Sequence, residues 1–286
     1  MTKSPESGPT ESDSTGSDPL GPSSGDSAAA PRERVIDLSV EVVGTPQEVW
    51  AAIATGPGVS SWYVPTTVEE QTGGAMTNRF GDGPEMLIPG RVAAWEPPER
   101  VVFDGGEGVP GLAFEWLVEA RDQGTCVVRL VNSGFVEGTP WDDQYDGMSE
   151  GWGLFLANLQ LHLAHFAGRS ATSMLPMALW PMSVERAWST LIEGLGLPAA
   201  PAVGEAIVVH DADAPSFSGR VAEHGPGRLI VLLETPAPGT AILACEGAGE
   251  QCGVSIWQYL YGDDAAVLAE RDTPRWNAWL QAHAVE

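Results

Sequence analysis

Positive charge is scarce in this chain. Fourteen Lys and Arg stand against 39 Asp and Glu, the formal net charge is −25, and Lys3 is the only lysine. A surface this acidic repels nucleic-acid phosphates and anionic membranes, so neither is expected as a partner, whereas a basic protein is compatible with it. The preference for Arg over Lys reads as genomic base bias rather than chemistry. Cysteine is equally sparse. Cys126, Cys245 and Cys252 make no disulfide framework, and although Cys245 and Cys252 could face each other across a hairpin, the odd count fits reduced thiols. Long hydrophobic runs are missing too. MLPMALWPM (174–182) is broken by two prolines and falls far short of the ~20 residues a membrane span needs. The first residues, MTKSPESGPT, lack the apolar core of a signal peptide, and the expected location is cytoplasmic.

What the chain does have is apolar and aromatic content. Hydrophobic residues make up 43% and there are 11 Trp, which excludes wholesale disorder. The exception is residues 1–32, an acidic stretch rich in Ser, Gly and Pro that cannot bury enough surface to offset its ordering entropy and is expected to be a disordered tail. From Val35 onward the pattern changes. Residues 33–44 read as a strand. Thr45, Pro46 and Glu48 then supply an N-cap, a first-turn proline and a capping-box acid for a short helix with Val49, Trp50 and Ile53 on its apolar face. Residues 66–135 read as strands separated by turn signals at Gly73-Gly74, Pro97-Pro98, Gly105–Gly111 and Gly124. Phe114, Trp116 and Val118 alternate with Glu115 and Glu119, which gives that strand a buried and a wet face.

Met148, Trp152, Phe155, Leu156, Leu159, Leu163 and Phe166 recur at spacings of three and four, a wide apolar stripe on a long helix over 151–166 that Gly168 terminates. Such a helix needs an antiparallel sheet to lie on. The motif order then recurs in worn form through VERAWSTLIEGLG (184–196), GRVAEHGPGRLIVLLE (219–234), TAILACEGAGEQCGVSIWQYLYG (240–262) and RWNAWLQAHA (275–284). The expectation is two tandem α+β modules, over 33–168 and 173–286, the second with a shorter sheet and a short final helix.

Several pieces carry a family resemblance: the EVW helix (48–50), Trp62-Tyr63 with Pro65, the Gly73-Gly74 turn, PGRVAAWEPPERVVF (89–103), the Gly124-Thr125 turn, Ser133-Gly134-Phe135, and GW followed by a leucine stripe (151–163). In this order they resemble the START-like, or SRPBCC, superfamily, and within it the family named for the activator of heat shock protein 90 ATPase. The resemblance implies a helix-grip fold, a curved antiparallel sheet wrapped around a long C-terminal helix. It also implies a cavity between sheet and helix that members mostly use for apolar small molecules, while some members are cyclases and others protein-interaction modules. The eukaryotic co-chaperone's additional N-terminal domain has no counterpart in 1–31. The second half matches through AW (187–188), GRV (219–221), GRLIV (227–231) and WxxWL (276–280).

Other chemical patterns lack the context they require. GMSEG (147–151) fits a nucleophile elbow around Ser149, with Asp263 and His283 following in hydrolase order, but no buried strand precedes it and Ser149 reads as a helix-start residue. GEGVPG (106–111) fits a dinucleotide loop, yet a strand rather than a helix follows. His162 and His165 lack further ligands for zinc, and Asp142-Asp143 and Asp263-Asp264 read as solvated turns. No metal or cofactor is expected. The remaining signal is aromatic. Trp62, Tyr63, Phe80, Trp95, Phe114, Trp116, Phe155 and Leu159 are expected to face the interior as core or as cavity wall, with Asn158 or Arg79 as a polar anchor. The expected function is non-enzymatic binding of an apolar or lipid-like small molecule. The alternatives are a co-chaperone-like interaction module that meets a basic protein, and a polyketide cyclase-like enzyme that uses His162 or Glu115.

Overall fold

A computed structural model describes residues 33–81, 83–106, 111–136, 144–211 and 213–284. The expected tail at 1–32, most of GEGVPG and the Asp142-Asp143 pair lie outside these residues. The first strand, β1 (Glu33–Val43), is followed by α1 (Pro46–Ala54) and the single turn α2 (Gly56–Val59). A meander then runs through β2 (Thr66–Val68), β3 (Ala75–Arg79), β4 (Leu87–Glu96), β5 (Arg100–Asp104), β6 (Ala113–Ala120) and β7 (Thr125–Val136). These form one antiparallel sheet in the order β1-β7-β6-β5-β4-β3-β2, so that the opening strand lies beside the last. The helix α3 (Tyr145–Phe166) follows. It begins at Tyr145 rather than at the expected 151, because Tyr145 and Met148 pack with the first core.

The second sheet repeats this connectivity. An opening strand in two pieces, β8 (Thr172–Met174) and β9 (Met177–Trp180), pairs with the two ends of β14 (Gln251–Leu260). Pro176, which has no N–H to donate, sits at the break. The helix α4 (Val184–Gly194) follows, then the meander β10 (Ala206–Val208), β11 (Ser218–Gly225), β12 (Arg228–Thr235), β13 (Gly239–Ala248) and β14, and finally α5 (Ala265–His283). Each sheet counts seven strands, but in the second the opening strand is split in two and its pieces, with β10, are only three to four residues long, so this sheet is the shorter one, as expected. The final helix, by contrast, is longer than expected, with 19 residues. Pro274 within it masked its N-terminal half in the sequence, because an interior proline ordinarily reads as a boundary.

Alternation decides how these layers stack. On the second sheet, Leu229, Val231, Leu233, Ala241, Leu243, Val254 and Ile256 face α4 and α5 and form the core with Trp276, Trp279 and Leu280. The intervening Ile230, Ile242, Ala244, Tyr259 and Tyr261 are buried as well, against Leu154 and Phe166 of α3. A sheet covered on both faces explains why RLIVLLE is a continuous apolar run rather than an alternating one. The helix α3 is therefore enclosed on two sides. Trp152, Leu156, Leu159 and Leu163 face the first sheet, while Leu154, Ala157, Leu161 and Phe166 face the second. One sheet partner was expected from the stripe; the second follows from leucines that lie off it, which make the helix apolar nearly all round. Both sheets belong to one compact unit, Arg32–Glu286.

Candidate functional site

The site is built by the turn between α1 and β2. Thr45 and Glu48 form the expected capping box: the Glu48 N–H donates to the Thr45 hydroxyl, and the Thr45 N–H donates to Glu48 Oε2 at 2.8 Å. A box of this kind is worth about 1 kcal/mol and fixes where α1 begins. The helix α2 then folds back so tightly that a Cβ on Gly58 would collide with the Ala51 carbonyl, so only glycine fits there. This fold-back presents Trp62 and Tyr63 to α3. The Trp62 indole donates to the Ala52 carbonyl at 2.9 Å, which locks its ring.

Trp152 of α3 is the hub of the resulting aromatic cluster. Its ring stacks on Tyr63 at 5.1 Å and meets Trp116 at 5.5 Å, Phe114 at 5.7 Å and Phe155 at 6.1 Å edge-on. Tyr63 also meets Phe155 at 4.6 Å and Phe80 at 5.9 Å, and Trp62 meets Trp116 at 5.6 Å. Contacts of this geometry add roughly 0.5–1.5 kcal/mol each beyond the area they bury. Between them lies a cavity of about 30 Å³ lined by Ile53, Val59, Trp62, Tyr63, Met76, Asn78, Phe103, Phe114, Trp116 and Trp152. That is space for about one water molecule, well below the roughly 300–1,000 Å³ of small-ligand pockets. Burial pushes the Tyr63 hydroxyl well above its ordinary range, so it stays a neutral donor.

Of the eight expected residues, Trp62, Tyr63, Phe114 and Trp116 line this cavity. Phe80 and Phe155 stand one ring behind, against Tyr63, and Leu159 is buried in the core below. Trp95 lies apart, edge-on to Trp50 of α1 at 4.9 Å. Ile53, Val59, Met76, Asn78, Phe103 and Trp152 were not expected as wall. Trp152 stood in the helical stripe, and its spacing alone does not separate core from cavity.

The polar candidates are committed elsewhere. The buried Asn158 amide donates to the Trp62 carbonyl at 2.8 Å and accepts from the Thr240 hydroxyl at 2.7 Å, so it is a bridge between helix and second sheet rather than a ligand anchor. Arg79 is exposed at the end of β3. His162 pairs through Nδ1 with the Tyr261 hydroxyl at 2.7 Å, and that hydroxyl donates to the Ser61 carbonyl at 2.9 Å. Burial lowers the His162 pKa from 6.5 to about 4, so its ring is neutral near pH 7. Glu115 points outward and is paired with Arg100. Neither His162 nor Glu115 reaches the cavity wall. Ser149 is the fifth residue of α3 rather than a residue at or before its start, and His283 stacks on Trp279 at 3.9 Å. Among the described residues no group of three or more His, Cys, Asp or Glu is placed to hold a metal ion. The three cysteines are free and buried. No described helix is long and apolar enough to cross a membrane.

A curved antiparallel sheet closed on a long C-terminal helix, with an aromatic cavity remnant between them, defines a helix-grip protein of α+β class. Residues 44–164, within the first module, match the family model of the Activator of Hsp90 ATPase homolog 1-like proteins. No curated protein matches the chain. Among solved structures it is similar to protein BH1534 of Bacillus halodurans, at 19% identity over 47% of this chain and 99% of that one, TM-score 0.40. It is also similar to the Aha1 dimer of Colwellia psychrerythraea, at 19% identity over 46% and 96%, TM-score 0.39. The di-domain ARO/CYC BexL, from the BE-7585A biosynthetic pathway, is 14% identical over 88% of this chain and 99% of that one, TM-score 0.41. At these identities and TM-scores the likenesses carry nothing about activity.

Proposed function

We propose that the first module is a non-enzymatic receptor for a small, flat apolar molecule, taken up between its sheet and α3 by opening the aromatic cluster. The observation that supports this is the convergence of Tyr63, Phe114, Trp116 and Trp152 on a small void at the sheet–helix junction. The void is too small for a ligand as it stands, so uptake requires side chains to move. The half-buried rings of Tyr63, Phe80, Phe114 and Phe155 form the movable part, whereas Trp62, Trp116 and Trp152 are buried and fixed. Opening costs several ring contacts, which a ligand of the same shape and polarity restores. The Tyr63 hydroxyl and the Asn78 Nδ2 donors are the polar groups available for orientation, the Asn78 oxygen being held by the Thr66 hydroxyl. The expected acid–base candidates stand off the cavity, which favours binding over cyclase-like chemistry. We read residues 173–286 as a degenerate second copy, on the shared connectivity of the two sheets.

The test is titration of the full chain with a solvatochromic apolar fluorophore, alongside Val59→Ile, which adds one methylene into the void. Uptake by the wild type that weakens at least several-fold in Val59→Ile, with thermal stability kept, is the expected outcome. Absence of uptake, or equal uptake in both proteins, overturns the reading.

A further inference from the structure

A second cleft lies in the second module, away from the aromatic cluster. It has a volume of about 550 Å³ and is lined by His210, Asp211, Ser216, Thr235, Arg271 and Arg275, together with Ala214 and Pro236. Its size falls within the range of small-molecule sites. Its chemistry is polar, and it gathers two of only 14 basic residues in a chain of net charge −25.

The two arginines are held in place from behind. Arg271 and Arg275 stand four residues apart on α5, hence on one helix face. Both bind Asp272, whose side chain is only 2% exposed. Arg271 grips it with both ends of its fork, Nε to Oδ1 at 2.8 Å and Nη2 to Oδ2 at 2.5 Å. Arg275 donates Nη1 to Oδ1 at 3.0 Å and Nη2 to the Ala214 carbonyl at 3.5 Å. Burial works against the Asp272 charge, but the two guanidiniums outweigh it and keep its pKa below the usual carboxylate range. One guanidinium suffices to neutralise one carboxylate, so the second is surplus. The side chains of Arg271 and Arg275 are 56% and 46% exposed, so their outer N–H groups remain open to the cleft.

Asp211 shares the cleft wall and limits what the cleft can hold. Its Oδ1 accepts from the amides of Asp213 at 2.7 Å and Ala214 at 3.2 Å, which spreads part of its charge into the backbone. An acid that carries a hydroxyl or amine fits both wall chemistries. Its acidic group meets the guanidinium pair, and its donor meets Asp211. Arg forks recognise planar carboxylate and tetrahedral phosphate oxygens alike.

We propose that this cleft is a binding site for a small polar oxyanion, a carboxylate- or phosphate-bearing metabolite with a hydroxyl or amine, held by Arg271 and Arg275. The probes are citrate, a hydroxy acid, and inorganic phosphate, titrated separately into the full chain by calorimetry. Saturable binding of either probe is expected, tighter for citrate if the donor toward Asp211 matters and tighter for phosphate if the guanidiniums act alone. Arg271→Gln leaves Arg275 to neutralise Asp272 and should weaken binding at least tenfold. Arg271→Gln combined with Asp272→Asn frees the Arg275 guanidinium from the carboxylate and restores the surplus positive charge, so it should regain part of the binding lost in Arg271→Gln. Thermal melts of both variants report folding independently. No saturable binding by the wild type, or affinity unchanged in folded Arg271→Gln, overturns the proposal.

Discussion

Acid should loosen this protein through one histidine. His162 is buried between α3 and the second sheet, stacked on Tyr261 at 5.9 Å and hydrogen-bonded to its hydroxyl. Arg169 lies over the same Tyr261 ring at 5.5 Å, so a second cation is already close by. Burial lowers the His162 pKa from 6.5 to about 4. Above pH 6.5 the ring is neutral in both folded and unfolded chains and contributes no pH dependence. Below it the unfolded chain takes up a proton that the folded chain refuses. Stability therefore falls as pH drops from about 6.5 to about 4 and levels off below that. The interval between the two values, at about 1.4 kcal/mol per pH unit, amounts to roughly 3 kcal/mol when complete and about 2 kcal/mol by pH 5. Carboxylates titrate in the lower part of this window, Glu246 higher than usual because burial raises its pKa, and relief of the net negative charge works in the opposite direction, so the wild type must be compared with His162→Gln. The assay is urea unfolding followed by tryptophan fluorescence between about pH 7 and pH 5. The difference in unfolding free energy between the two proteins should shrink by about 2 kcal/mol over that range. Parallel pH dependence in the two proteins would refute the reasoning.

Further outcomes follow from the same interior. Asn158→Ala strands the Trp62 carbonyl and the Thr240 hydroxyl, both buried, and should cost about 3 kcal/mol; in a cycle with Thr240→Val the two changes should couple by about 1 kcal/mol in chemical denaturation. Trp152→Ala removes the hub of the aromatic cluster and should cost roughly 3–5 kcal/mol, and the cavity it opens should raise uptake of an apolar fluorophore. Thr45→Ala breaks the capping box and should lower stability by about 1 kcal/mol in a thermal melt without altering fluorophore uptake.

Much of the fold was legible because local and global signals agreed. The Thr45–Glu48 box, the Phe114/Trp116/Val118 alternation and the stripe of α3 each mark an element that the structure contains. The second half was harder to read. Pro274 hid half of α5, and Pro176 split the opening strand into β8 and β9. The stacking of the layers was encoded in residues that looked redundant. Leu154 and Leu161 lie off the main stripe, and RLIVLLE does not alternate, and both patterns mean burial on two faces. The cavity wall was half legible. Aromatic type singled out Trp62, Tyr63, Phe114 and Trp116, but periodicity gives the same signature to Trp152 on the wall and to Trp95 away from it. Asn158 was misread as an anchor because a polar residue inside a helical stripe does not reveal which neighbouring layer satisfies it.

Native mass spectrometry of the gently purified full chain, followed by denaturing extraction, tests the receptor reading most directly. A native mass above that of the chain alone, with an apolar small molecule released on denaturation, is the predicted result. Equal native and denatured masses, together with no uptake of an added apolar fluorophore, would contradict it and leave the aromatic cluster as ordinary core.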